Sequence, residues 1–123
     1  MIVIESVHHM GITVTDLERS IKFYRDMFDF EVIEKLSTSG IAYLRIADIV
    51  IGLYEAAQYK GSADSKNKLS FFVDEEDFED AVEELKALDA TIIMGPENIR
   101  NGQAVIFLDP DGNQIELCYP RID

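Results

Sequence analysis

The chain has 123 residues, 47% of them hydrophobic, and a formal net charge of −13; that length suits one compact domain or two very small modules sharing a core. So acidic a surface repels phosphate backbones and anionic lipids, which argues against nucleic-acid and membrane partners, and the longest apolar run, "IADIVIGLY", contains Asp48 and falls short of a span of roughly 20 residues. The N-terminus has no basic leader or small-residue cleavage site, and Cys118 is the single cysteine, so the expectation is a cytoplasmic protein without an internal disulfide.

Residues near 3–14 alternate, with Met10, Ile12 and Val14 on one face and His9, Gly11 and Thr13 on the other, which is the period of a strand. Asp16 can then cap a helix whose apolar positions are Leu17, Ile21, Tyr24 and Phe28, with Asp29 at its end. Strands follow near 30–36, 41–46 and 49–55, and the polar stretch "YKGSADSKN" reads as a linker over about 59–66. In "DEEDFEDAVEEL" the acids fall on one side of a helix near 76–88 and Phe78, Ala81, Val82 and Leu85 on the other, the pattern of a solvated helix face.

The second half restarts the first. "KLSFFVDEEDFEDAVEELKALDATII" repeats the order strand, acidic cap, amphipathic helix, strand of "HMGITVTDLERSIKFYRDMFDFEVI". His9 falls opposite Lys68, and "YLRIAD" then "IVIGLY" match "IFLDPD" then "NQIELC", which sets Gly52 opposite Glu116. The fold expected is α+β, two tandem βαβββ modules (about 4–58 and 67–120) in a single domain over 1–123, with curved mixed sheets and helices on the outer face. Asp109-Pro110-Asp111-Gly112 is strong turn chemistry that delivers the last strand.

Helices cover one face of each sheet, where Met10, Ile12, Val14, Ile51, Leu53, Leu69, Phe71, Val73, Ile115 and Leu117 should point. The opposite parity gives His9, Gly11, Thr13, Gly52, Tyr54, Lys68, Ser70, Phe72, Gln114, Glu116 and Cys118. That mixed, small and polar set fits the wall of a wet ligand-binding cleft better than a core. By the same parity His8 turns to the helix side as a packed or edge residue, and Glu55 has the wrong parity for the cleft.

"HHMGITVTDLERSIKFYRDMFDFEV" and "FLDPDGNQIEL" closely resemble the vicinal oxygen chelate superfamily, which includes glyoxalase I, methylmalonyl-CoA epimerase, fosfomycin-resistance thiol transferases, extradiol dioxygenases and metal-free bleomycin-resistance proteins. The resemblance runs from about Ser6 to Tyr119 and implies a homodimer. In metal-dependent members a divalent ion sits on up to four strand positions, which the resemblance carries onto His9, Gly52, Lys68 and Glu116. His9 and Glu116 suit a metal. Gly52 offers nothing, and a protonated Lys68 has no lone pair and repels a cation. Ordinary protein sites use about three or more N, O or S ligands.

The ligand count therefore favours a small-molecule-binding protein of the resistance-protein kind, with no cofactor, a cationic or polar ligand, and Tyr43, Tyr54 and Phe72 available for stacking. The alternative is a lyase or isomerase of the glyoxalase or epimerase kind using zinc, nickel, manganese or iron, with His9 as ligand and Glu116 as ligand or base; a dioxygenase or thiol transferase ranks behind it. A metal-free variant would use Lys68 to polarise a carbonyl and Glu116 as base. A purely structural partner protein is a third class, disfavoured by the polar wall.

Overall fold

Among the described residues eight strands and two principal helices form in the order the repeat implies. The structure, a computed structural model, describes residues 1–61 and 65–122, so the expected linker over 59–66 lies partly outside the described residues. The chain divides into two compact units, Met1–Lys60 and Gly61–Asp123.

In the first unit, β1 (Met10–Val14) leads into α1 (Leu17–Phe28), followed by β2 (Glu31–Leu36), β3 (Ile41–Ile46) and β4 (Ile49–Glu55). Asp16 starts α1 by accepting the Arg19 amide at 3.1 Å, and Glu55 from the end of β4 accepts the Leu17 amide at 2.8 Å. Two of the four amides that a helix start leaves unbonded are thereby satisfied. Asp29 ends α1 in the left-handed region, φ 62, with its amide on the Arg25 carbonyl. Leu17, Ile21 and Tyr24 turn inward at helical spacing and meet a core of Val14, Phe30, Ala42, Leu44, Ile51 and Leu53, each at most 4% exposed. Burying each large side chain among these is worth about 1.5–3 kcal/mol.

The second unit repeats the plan with β5 (Lys68–Phe72), α2 (Glu75–Ala87), β6 (Thr91–Ile99), β7 (Gly102–Leu108) and β8 (Gln114–Tyr119). Phe78, Val82 and Leu85 of α2 are buried, as are Val105, Phe107, Ile115 and Leu117 beneath them. The turn before β8 is tied by Asp109, which is 5% exposed. Its Oδ1 accepts the Asp111 and Asn113 amides at 2.9 Å each, and its Oδ2 accepts the Asn113 side-chain amide at 2.8 Å. Gly112 takes φ 85, where a Cβ would be strained.

Each unit forms a four-stranded mixed sheet, with orders β1-β4-β3-β2 and β5-β8-β7-β6. The repeat alignment is reproduced to the residue in the ladders. Gly11 pairs with Gly52 in the parallel β1–β4 ladder, and Ser70 pairs with Glu116 in β5–β8. On the antiparallel side Tyr43 faces Gly52, and Ile106 faces Glu116.

The first strand is shorter than the alternation from residue 3 suggests. β1 starts at Met10, which pairs with Ile51, and β4 itself starts at Ile49, so its backbone offers nothing for residues 1–7 to pair with. Met1, Ile2, Val3, Ile4 and Val7 are exposed in consequence. Met10 is also partly exposed, at 38%, although it has helix-side parity.

Candidate functional site

On the helix-free face of the first sheet the paired glycines Gly11 and Gly52 leave bare backbone, and two tyrosine rings lie over it. A Cβ placed on Gly52 would sit 2.8 Å from Tyr54 Cε2, 3.1 Å from Tyr43 Cε1 and 3.1 Å from the Tyr54 hydroxyl. A Cβ on Gly11 would meet Tyr54 Cε2 at 3.3 Å. The phenols thus occupy the space into which a side chain at position 52 would project. Glycine is required there by crowding, not by φ.

His9 joins this group just before β1. Its Nε2 is 2.8 Å from the Tyr54 hydroxyl, which lies 3.2 Å from the Tyr43 hydroxyl. Its Nδ1 is 2.8 Å from Nδ1 of His8, so a single proton is shared between those two nitrogens. The hydrogen bond with Tyr43 and then burial hold the Tyr54 phenol above its ordinary pKa. His8 is exposed and stacks edge-on against His9 with centroids 5.1 Å apart; it is not packed under the helix, because strand parity does not extend past the start of β1.

The helix-free face of the second sheet carries Lys68, Ser70, Phe72, Gln114, Glu116 and Cys118. Ser70 donates to Glu116 Oε1 at 2.7 Å, as the register pairing of the two residues requires. Glu116 therefore takes its hydrogen bond from Ser70, and Lys68, exposed at the head of β5, has Gln114 as its register partner. Gln114 donates to the Ser65 carbonyl at 3.2 Å. The Arg121 guanidinium sits 3.8 Å over the Phe72 ring, so that ring already has a cation on its face. Burial and the Glu116 carboxylate push the Cys118 thiol up, partly offset by Arg100, which keeps it protonated and poorly nucleophilic at neutral pH. An open polar depression of about 500 Å³ lies elsewhere in this unit, lined by Glu75, Asn98, Arg100, Gln103 and Tyr119 among others.

The residues singled out in the sequence thus fall into two groups: His9, Gly11 and Tyr54 in the first unit, and Ser70 with Glu116 in the second. Thr13 pairs with Tyr54 across the ladder. The alternation had no means of showing that Tyr43 and Tyr54 fold back over glycines, or that His8 contacts His9. A tyrosine two positions after a glycine on the same face was the available signal.

Among the described residues no group of three or more His, Cys, Asp and Glu side chains gathers as for a metal ion. The donor chemistry of His9 and Glu116 suits a divalent metal, and each is held by a neighbour, His8 and Ser70, in the way that outer partners orient ligands. Lys68 does not suit one. Glu55 is committed to the start of α1.

Two four-stranded mixed sheets, each of β-α-β-β-β connectivity, define the fold class, and the sequence places the chain in a superfamily of small-molecule-binding proteins. A profile of the Glyoxalase/Bleomycin resistance protein/Dioxygenase superfamily matches residues 6–117, and the chain belongs to that superfamily. It is 34% identical over 117 residues to the metallothiol transferase FosB of Staphylococcus epidermidis, covering 93% of this chain and 81% of that protein. The fold is shared with the fosfomycin resistance protein FosX of Listeria monocytogenes, at a TM-score of 0.85 and 22% identity, over 98% of this chain and 97% of that one. An E126Q mutant of FosX complexed with Mn(II) and 1S,2S-dihydroxypropylphosphonic acid has a TM-score of 0.83 at 22% identity, over 98% and 95% of the two chains.

These relatives overturn the expectation of no cofactor. The FosB relative is a metallothiol transferase and the FosX complex contains Mn(II), so the comparison points to a divalent metal. The ligand count weighed only four strand positions of this chain, two of which, Gly52 and Lys68, offer no ligand. The FosB relative is named a transferase and not a lyase or isomerase, the class ranked second from sequence.

Proposed function

We propose that this chain is a metal-dependent transferase that joins a thiol to a small phosphonate-like molecule, with His9 and Glu116 the two residues of metal-ligand chemistry at its candidate positions. The observation that supports the reading most is the 34% identity to a metallothiol transferase across 93% of the chain. The metal, when bound, supplies a Lewis acid that polarises an oxygen of the substrate.

The chain's own residues have definable parts. Ser70 holds one oxygen of Glu116 and so fixes that carboxylate on its strand. His8 fixes the His9 ring through Nδ1 and so aims Nε2. With a net charge of −13, an anionic substrate needs a local countercharge, and the exposed ammonium of Lys68 provides one. Thr13 and Gln114 add polar contacts on their sheet faces. A homodimer in the cytoplasm belongs to the same reading, and light scattering checks it at twice the 13.9 kDa chain mass.

The test is phosphorus NMR of fosfomycin incubated with the Mn(II)-loaded protein and glutathione, cysteine or bacillithiol. The expected result is a new phosphorus resonance that requires thiol and is lost in Glu116→Gln. Saturable fosfomycin binding without any new resonance would replace this reading with ligand sequestration, the function that Lys68 at a ligand position favours.

A further inference from the structure

Natural chains blunt free strand edges with bulges, prolines and charges, because unpaired extended backbone invites another chain. The outer strand of each sheet follows that practice. β2 shifts register between Val32 and Glu34, and β6 shifts between Ile92 and Met94 and again between Met94 and Glu97, a stretch that holds Pro96. The segment "MIVIESV" at residues 1–7 has no such protection. It contains no proline, a single charge at Glu5, and the β-branched residues Ile2, Val3, Ile4 and Val7. Met1, Ile2, Val3, Ile4 and Val7 are each at least 77% exposed, and β4, starting at Ile49, does not reach them.

We propose that residues 1–7 are a dimerisation arm, in which Met1–Glu5 pairs antiparallel with the same segment of a second copy of this chain, with Val3 on the twofold axis. This rests on the homodimer reading above and names its contact.

Charge, area and register each point to a second copy. Two chains of net charge −13 repel wherever their acids face each other, as they would across α2, which opens with Glu75, Glu76 and Asp77. With one charge over seven residues, the arm lets two copies meet without that repulsion. A large side chain takes roughly 100 Å² of apolar surface out of water when buried, so five from each copy bring about 1,000 Å², the size at which stable interfaces begin. The bend at Ser6 closes the extended stretch, whose midpoint is Val3. Centred there, Ile2 of one copy lies opposite Ile4 of the other, Val3 opposite Val3, and Glu5 opposite Met1. A pair centred on Ile4 would set Val3 against Glu5, and one centred on Glu5 would set two like charges face to face. Because the same segment is used on both sides, the contact closes at two copies.

Light scattering on the full-length chain at high micromolar concentration reads the arm directly. The wild type should weigh twice 13.9 kDa. Ile2→Asp/Ile4→Asp should raise the dimer dissociation constant at least about tenfold, with an unchanged circular dichroism spectrum because both side chains are exposed in the single chain. Residues opposed across an antiparallel pair have Cα atoms about 4.5–5.5 Å apart, which a disulfide can span. Val3→Cys on a Cys118→Ser background should therefore give a covalent dimer with diamide, whereas Leu88→Cys on that background, at a site 52% exposed, should stay single. A wild-type dimer that Ile2→Asp/Ile4→Asp leaves intact, or equal cross-linking at positions 3 and 88, overturns the arm and leaves the homodimer reading standing. A wild type of 13.9 kDa overturns both. Masses above the dimer would mean that the arm meets another strand edge, which overturns the twofold pairing.

Discussion

The two units share one backbone plan and differ in what stands at equivalent points. Gly11 and Gly52 occupy in the first the rungs that Ser70 and Glu116 occupy in the second, and Tyr43 stands where Ile106 does. The second unit puts its polar atoms directly on the paired strands. The first removes both side chains and covers the rungs with rings from Tyr54 and Tyr43, bringing the Tyr54 hydroxyl to His9 and the Tyr43 hydroxyl to that of Tyr54. The lesson is that a position empty in sequence is not empty in space: a residue two places along on the same face can fill it.

The strongest way to break the comparison is to give the first unit the carboxylate of the second. Gly52→Glu looks from sequence like the addition of a missing ligand, but its Cβ would lie 2.8 Å from the Tyr54 ring at a buried position. We expect a loss of about 3 kcal/mol in urea unfolding, from overpacking and an unpaired buried charge, with partial recovery in Gly52→Glu/Tyr54→Ala. Wild-type stability in the single variant would mean that the two rings do not cover Gly52.

Next in size is the substitution that makes the units more alike. Lys68→His places an imidazole at the point equivalent to His9 and removes a repelling charge. Zinc affinity in a chromogenic-chelator competition should rise about tenfold, which is roughly 1.4 kcal/mol. No change would place Lys68 away from the metal.

The smallest effect separates the helices. α1 carries Arg19, Lys22 and Arg25 among its acids, whereas α2 carries Lys86 alone as a base. On α1 the hydrogen bond from Lys22 holds the Asp26 carboxyl below its ordinary pKa of 3.8. A lowered pKa means that the folded chain binds this proton less readily than the unfolded one, so the contribution is present above about pH 4 and fades as pH falls below that. In Lys22→Met, carboxyl carbon NMR should find Asp26 titrating closer to 3.8; an unmoved titration would show that Lys22 does not reach it in solution.

Much of this was legible in the sequence. The repeat settled element order, and the equivalences it set between the halves recur in the ladders, because matching apolar positions in two halves constrain each other more tightly than either half does alone. Alternation placed Glu116 with Ser70 for the same reason. It failed at Val3–Val7, since period 2 reports a strand-like pattern and not whether a neighbouring strand exists to pair with. It failed again at His8, beyond the paired ladder, and at Tyr43 and Tyr54, because parity names the face a side chain leaves from and is silent on where a long ring comes to rest.

The coupled phenols have an optical consequence. The chain contains five tyrosines and no tryptophan, so tyrosine emission is not drained into indole acceptors, and a hydroxyl bonded to an imidazole emits differently from one that has lost that bond. Whatever engages His9 must disturb Tyr54, and Tyr43 with it. The protein therefore carries its own fluorophore beside His9, and engagement of that side chain can be followed in unlabelled, unmodified material.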